Sequence, residues 1–198
     1  TEAKESDWYE GAFVVDNVAP TVGWGAPTLP ASTTAAAVLA VAQASGTVST
    51  GEGTRSDLRR LYFQVAGPSG TSIYPAANDR AWIQLPLTGN YTINAVAVDE
   101  AGHQAQVSAV VAVSAATHVA TVSTPLSGSA VAQPLVTLRG YVRFATAGAG
   151  RVDVSVSGGG TVQATLDAPD AQYSTWSATI SLPAGWRPAH GTATLAST

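Results

Sequence analysis

One pattern occurs twice in this chain, and few architectures can hold it. In the first half "LRRLYFQVAGPSG" leads to "RAWIQLPLTGNYTINAVAVDEAGHQAQVSAVVAV"; in the second, "AGRVDVSVSGGG" leads to "STWSATISLPAGWRPAHGTATLAST". Each copy runs through a strand, a Gly-rich turn, a strand carrying Trp82 or Trp176, a turn opened by Pro86 or Pro183, and a Thr-containing strand. Val- and Thr-rich stretches punctuated by Gly and Pro favour strands over helices. Short strands with turn signals about every eight to twelve residues indicate β-sandwiches, and a propeller would need several more copies. The 198 residues accommodate two such units of about 100 residues each.

Charge and cysteine content exclude several classes of function. The net charge is −4 and the single lysine is Lys4, so no basic patch can follow a nucleic-acid backbone. There is no cysteine, which removes disulfides, thiolate metal sites and cysteine nucleophiles together. No run approaches about eighteen apolar residues, the length a membrane-crossing helix needs. The opening "TEAKESDWYEG" is acidic and polar, unlike a signal peptide, and leads us to expect a mature or excised fragment. Cysteine-free, Lys-poor chains rich in Thr, Ala and Gly are common among bacterial surface proteins, a compositional association only.

At "GNYTINAVAVDEAGHQAQV" the pattern becomes specific. It resembles the end of a bacterial immunoglobulin-like domain, where G-x-Y-T-hydrophobic is followed by D-x-A-G-N and a final strand. "VVDNVAPTV" at 14–22 resembles the junction between adjacent domains in tandem arrays of that family. His103 stands where Asn is usual, and the second copy has Ala193 where the first has Tyr91. The resemblance implies an extracellular or cell-surface, multidomain, non-catalytic protein. Alternation agrees independently: Ala105, Val107, Ala109, Val111 and Val113 form one face of a strand over 104–113, with Gln104, Gln106 and Ser108 on the other. Tyr91, Ile93, Ala95 and Ala97 should share an inner face, with Tyr91 placed to form a tyrosine corner.

Aligning the copies places Gly191 on Gly89, Leu195 on Ile93 and Thr198 on Val96, so the second unit stops before a final strand. Residues 1–15 in turn lie without gaps on 99–113: Glu2 meets Glu100, and Tyr9, Phe13 and Val15 meet Val107, Val111 and Val113. The expected organisation is therefore an arm at 1–16, an immunoglobulin-like domain at 17–114, a linker at 115–118 and an incomplete domain at 119–198. In one reading the arm completes the second domain of another copy, and repetition gives a head-to-tail homopolymer. Its donor face would be Tyr9, Gly11, Phe13 and Val15, and its acceptor edge Ala193, Leu195 and Ser197. In the other reading the chain is one period of a longer tandem array, a spacer or carbohydrate-binding segment of a larger secreted protein.

Little else carries chemistry. His103, His118 and His190 show no metal-binding spacing and read as solvated histidines, in a turn, the linker and a loop. No Gly-x-Ser-x-Gly elbow anchors a hydrolase triad, so no enzyme is expected. Asp16, Asn17, Asp99 and Glu100 are oxygen donors near a junction and a strand end, but calcium needs about six to eight oxygens. They read as turn formers, with no metal and no cofactor expected. "GPSG" at 67–70 and "SGGG" at 157–160 read as hairpin turns. Trp82 and Trp176 should pack against their own sandwiches, leaving Trp186, beside Arg187, as the aromatic best placed to meet a sugar ring. "NYT" at 90–92 is a formal glycosylation acceptor.

Overall fold

The computed structural model describes residues 15–50, 53–114, 118–126, 129, 134–148, 150–156, 160–182 and 193–197. Among them there is no helix; the chain is all-β. Its first ten strands are β1 (Thr21–Trp24), β2 (Ser32–Thr33), β3 (Ala37–Ser45), β4 (Thr47–Thr50), β5 (Gly53–Ser56), β6 (Leu58–Gly67), β7 (Gly70–Pro75), β8 (Arg80–Gln84), β9 (Gly89–Asp99) and β10 (Gln104–Val113). One sheet runs β1-β3-β8 and a second β2-β10-β9-β6-β7, with β4 and β5 forming a separate hairpin. The β2–β10 pair is parallel; all the others in these sheets are antiparallel. A leading segment that serves both sheets, first as β1 and then as β2, is the strand order of an immunoglobulin-like sandwich.

The core between these sheets comes from one face of each strand. Ala40 and Ala42 of β3 and Ile83 of β8 meet Phe63 and Val65 of β6, Ile93 and Ala95 of β9, and Val111 of β10. Trp24 closes one side, its ring stacked 6.2 Å from that of Phe63. Alternation along β10 follows the sequence pattern: Val111 and Val113 are buried while Gln104, Gln106, Ser108 and Val110 are exposed. Tyr91 makes the expected corner. Its hydroxyl donates to the Leu87 carbonyl at 2.9 Å and accepts the Leu87 N–H at 3.0 Å, pinning the turn that leads into β9. Gly67 lets that happen, since a Cβ there would sit 2.5 Å from the Tyr91 ring. Gly67 pairs with Gly70 across the β6–β7 hairpin, as "GPSG" foretells.

The remaining strands are β11 (His118–Thr124), β12 (Leu135–Phe144), β13 (Val152–Val156), β14 (Thr161–Gln163), β15 (Thr165–Leu166), β16 (Tyr173–Ser181) and β17 (Ala193–Ser197). They form sheets β11-β12-β16-β15 and β14-β13-β17 around a second core of Val136, Leu138, Val142, Phe144, Val152, Val154 and Trp176. Inward alternation along β12 runs Val136, Leu138, Gly140, Val142, Phe144. Gly140 leaves the space that Trp176 fills, and the indole N–H donates to the Tyr141 carbonyl at 3.2 Å. Residues 157–159 lie outside the described set, but β13 and β14 on either side pair antiparallel.

Candidate functional site

Three places in the fold hold groups that ordinary sandwich packing leaves unexplained. The first is the edge of β17. In the first sandwich β9 has β6 on one side and β10 on the other; in the second, β17 pairs with β13 in the register Val154–Leu195, and no strand among the described residues lies on its other side. The backbone of Ala193, Leu195 and Ser197 is thus placed along that edge. Of the donor face, Tyr9, Gly11 and Phe13 lie outside the described residues, and Val15 is exposed.

The second is the junction between the sandwiches. Arg143, on β12 of the second sandwich, is 4% exposed, and among the described residues no carboxylate pairs with it. Its guanidinium instead donates to carbonyls of the first sandwich: Nη1 to Leu85 at 2.7 Å and Nη2 to Thr34 at 2.8 Å, with longer contacts to Ala35 and Ser114. Burial holds its pKa below the usual arginine range. A planar fork offers five donors from three nitrogens and so reaches carbonyls set apart from one another, whereas a lysine donates from one nitrogen only. Thr121 adds a second link, its hydroxyl accepting the N–H of the fully buried Ala36 at 3.2 Å.

Beside this clamp an aromatic row crosses the junction, from Trp82 to Tyr141 at 6.3 Å and on to Tyr173 at 6.4 Å. Burial, with Tyr141 nearby, pushes the Tyr173 hydroxyl well above the usual tyrosine range. An adjoining cleft of about 450 Å³ is lined by Leu39, Tyr74, Arg80, Trp82, Leu126 and Tyr141, among others. Trp82 therefore corrects the sequence reading. Trp176 is in a core, but β8 turns Ile83 inward, so Trp82 faces out and is half-buried at the junction. Trp186 and His190 lie outside the described residues.

The third is a carboxylate cluster where the chain enters the first sandwich. Asp99 is 1% exposed. One of its oxygens accepts the His103 N–H at 2.8 Å, and the other meets His103 Nδ1 at 3.0 Å. Burial alone would raise its pKa, but these bonds and the Gly102 N–H outweigh that and hold it low. Asp16 comes within 4.8 Å of both Asp99 and His103. Asp57, between β5 and β6, is 2% exposed, and neither of its oxygens has a hydrogen-bond partner among the described residues. Burial first, then hydrogen-bond-range contact with the Asp16 carboxylate, pushes its pKa up. Glu100 is elsewhere engaged, in an exposed ion pair with Arg55 at 2.8 Å.

Two histidine readings also change. His103 is a structural partner of Asp99 as well as a turn residue. His118 opens β11 with its ring edge-on to Phe144 at 6.1 Å. Arg143 and Asp57 carried no signal in the sequence. Arg143 falls on the outward face of the β12 alternation, and Asp57 is one acidic residue between β5 and β6.

No family model matches the sequence, and no curated protein matches it. Among solved structures the chain is similar to one described as "Structures of Clostridium thermocellum CbhA fibronectin(III)-like modules", at 16% identity, covering 82% of this chain and 80% of that one, with a TM-score of 0.33. Among the described residues no helix is long and apolar enough to cross a membrane.

Proposed function

We propose that this chain is a structural, non-catalytic segment of an extracellular assembly. In this reading two immunoglobulin-like sandwiches stand in tandem, and residues 1–16 of another copy complete the second. The observation that carries it is the β17 edge, which lacks among the described residues the neighbour that β10 gives to β9. An unpaired edge beside an open core is an aggregation hazard that proteins normally cover.

The register of the complete sandwich sets the expected pairing. There Val111 lies opposite Tyr91, Ala109 opposite Ile93 and Val107 opposite Ala95. Carried to the second sandwich, Phe13 falls opposite Ala193, Gly11 opposite Leu195 and Tyr9 opposite Ser197. The large side chain changes strands: Tyr91 with Val111 in one sandwich becomes Ala193 with Phe13 in the other. Complementary volumes of this kind are what a packed core requires. Burying Tyr9, Phe13 and Val15 would contribute roughly 1.5–3 kcal/mol per large side chain before ordering costs.

Because the chain has no cysteine, disulfide trapping is clean. Tyr9→Cys combined with Ser197→Cys should give, on mild oxidation, a ladder of covalent multimers on a non-reducing gel. Opposed strand residues are close enough for a disulfide. A product that stays monomeric at high protein concentration sinks the proposal.

One observation favours a second reading, glycan binding. The junction cleft presents Trp82, Tyr74 and Tyr141, and aromatic rings are what sugar faces stack on. That adds Trp82 to Trp186 as a candidate contact. A soluble glycan that raises the melting temperature, with the rise lost in Trp82→Ala, would favour this reading over a purely structural one.

A further inference from the structure

The cleft beside the junction carries a positive charge and no negative one. Arg80 is the one Lys, Arg, Asp or Glu side chain among the described residues that line it, in a chain where 13 carboxylates outnumber 9 cations. The turn that opens β8 sets its place. Ala77 donates its N–H to the Arg80 carbonyl at 2.9 Å, and Arg80 donates its own to the Ala77 carbonyl at 3.3 Å. Between them Asn78 and Asp79 hold φ of 51° and 63°, as a type I′ turn requires. Among the described residues these are the only non-glycine positions with positive φ. Backbone strain of this kind persists where its surroundings enforce it, and it gathers at ligand sites.

The guanidinium is held as well. Arg80 Nε donates to the Asn78 carbonyl at 3.2 Å, and among the described residues no carboxylate pairs with it. Its terminal nitrogens remain for a ligand, and a guanidinium grips a carboxylate through two parallel N–H···O bonds. Around this cation the cleft offers surfaces for a sugar. Trp82 and Tyr141 lie with ring centroids 6.3 Å apart at 45°, and Tyr74 adds a third ring. Such rings stack on the apolar faces of a sugar, while the hydroxyls of Ser123 and Thr124 can bond to its edges. The volume of about 450 Å³ is that of a small-ligand site, about 300–1,000 Å³, which suits the end of an oligosaccharide.

We propose that this cleft binds an acidic oligosaccharide, with a sugar carboxylate on Arg80 and a sugar ring against Trp82 and Tyr141. The inference rests on the glycan-binding reading and narrows it to one ligand class, sugars bearing a carboxylate. Both sandwiches supply walls of the cleft, so the site is complete only while the Arg143 clamp holds them together.

The test titrates the full chain by calorimetry at low ionic strength with trigalacturonic acid, its methyl ester, sialyllactose and lactose. The ester keeps every ring and removes only the charge; lactose lacks the sialic acid. At least one acid should bind about ten-fold or more tightly than its neutral counterpart, and added salt should erode that preference. Which acid responds tells a uronic from a sialic source. Arg80→Gln should bring the acid down to the level of its neutral counterpart, and Arg80→Lys should keep part of the preference, having the charge without the fork. Trp82→Ala should abolish binding of acid and neutral sugar alike. Equal affinity for acid and neutral counterpart, or a preference that survives Arg80→Gln, overturns the acidic assignment while glycan binding stands. No binding of any of the four overturns both at this cleft.

Discussion

Tyr91 shows how much a single side chain can fix. Its ring fills the core at 2% exposure while its hydroxyl makes both a donated and an accepted bond to Leu87. Tyr91→Phe keeps the ring and removes both bonds. Leu87 is 40% exposed, so water can reach its backbone, and the loss should be about 1–2 kcal/mol, not the larger cost of orphaned buried groups. Urea denaturation should register it as a lower midpoint with an unchanged slope; an unaltered midpoint would mean the corner is ornamental. Gly140 is less forgiving. A Cβ there meets the Thr121 carbonyl oxygen and the Trp176 ring, a backbone on one side and a core indole on the other. Gly140→Ala should cost about 3 kcal/mol, the upper end of ordinary overpacking, whereas a loss of a few tenths would show that β11 and Trp176 can give way.

Among elements, β12 shows both what alternation tells and what it leaves out. Its inner face, Val136, Leu138, Val142 and Phe144, follows alternation and is buried as that alternation dictates. The same alternation sends Tyr141 and Arg143 outward, and they are outward; they are buried or half-buried only because the other sandwich covers them. A periodicity of two says which face a residue takes and nothing about what lies beyond that face. Trp82 was misread for the same reason, and Asp57 gave no signal because its surroundings are distant in sequence. The fold class, the β10 pattern and the tyrosine corner were legible because each is local. For the junction, Arg143→Met removes the guanidinium and leaves the Leu85 and Thr34 carbonyls without their strongest donor. Hydrogen bonds to a charged group are worth about 1.5–3 kcal/mol each, offset in part by the desolvation that arginine suffers. The coupling between sandwiches should fall by about 2–4 kcal/mol, and scanning calorimetry should resolve two transitions in place of a more cooperative one. Arg143→Lys should lie between, since an ammonium keeps the charge but donates from one nitrogen where the guanidinium reaches the two carbonyls from two. Identical calorimetric profiles for all three proteins would mean that the clamp does not couple them.

At the scale of the whole molecule the issue is what satisfies β17. Its backbone groups facing away from β13 are either hydrated or paired with another segment, and the sequence offers the segment best matched to them at residues 1–15, equivalent to 99–113. Isologous pairing of two β17 edges would close into a dimer and leave both arms unused, whereas arm-to-edge pairing is heterologous and repeats without closing. The two arrangements differ in how they respond to removal of the arm. Deleting residues 1–14 leaves Asp16 and its neighbours in place, so any effect on assembly cannot be charged to the carboxylate cluster. The truncated protein should lose concentration-dependent growth in light scattering and migrate as one small species or as disordered aggregate. A synthetic peptide of residues 1–16 should then bind it one-to-one and raise the melting temperature of its second sandwich. The same peptide carrying Phe13→Asp should fail, because a carboxylate would be forced into the space opposite Ala193. If the truncated protein assembles as the full chain does, or if it ignores the peptide, the arm is not the strand that β17 takes.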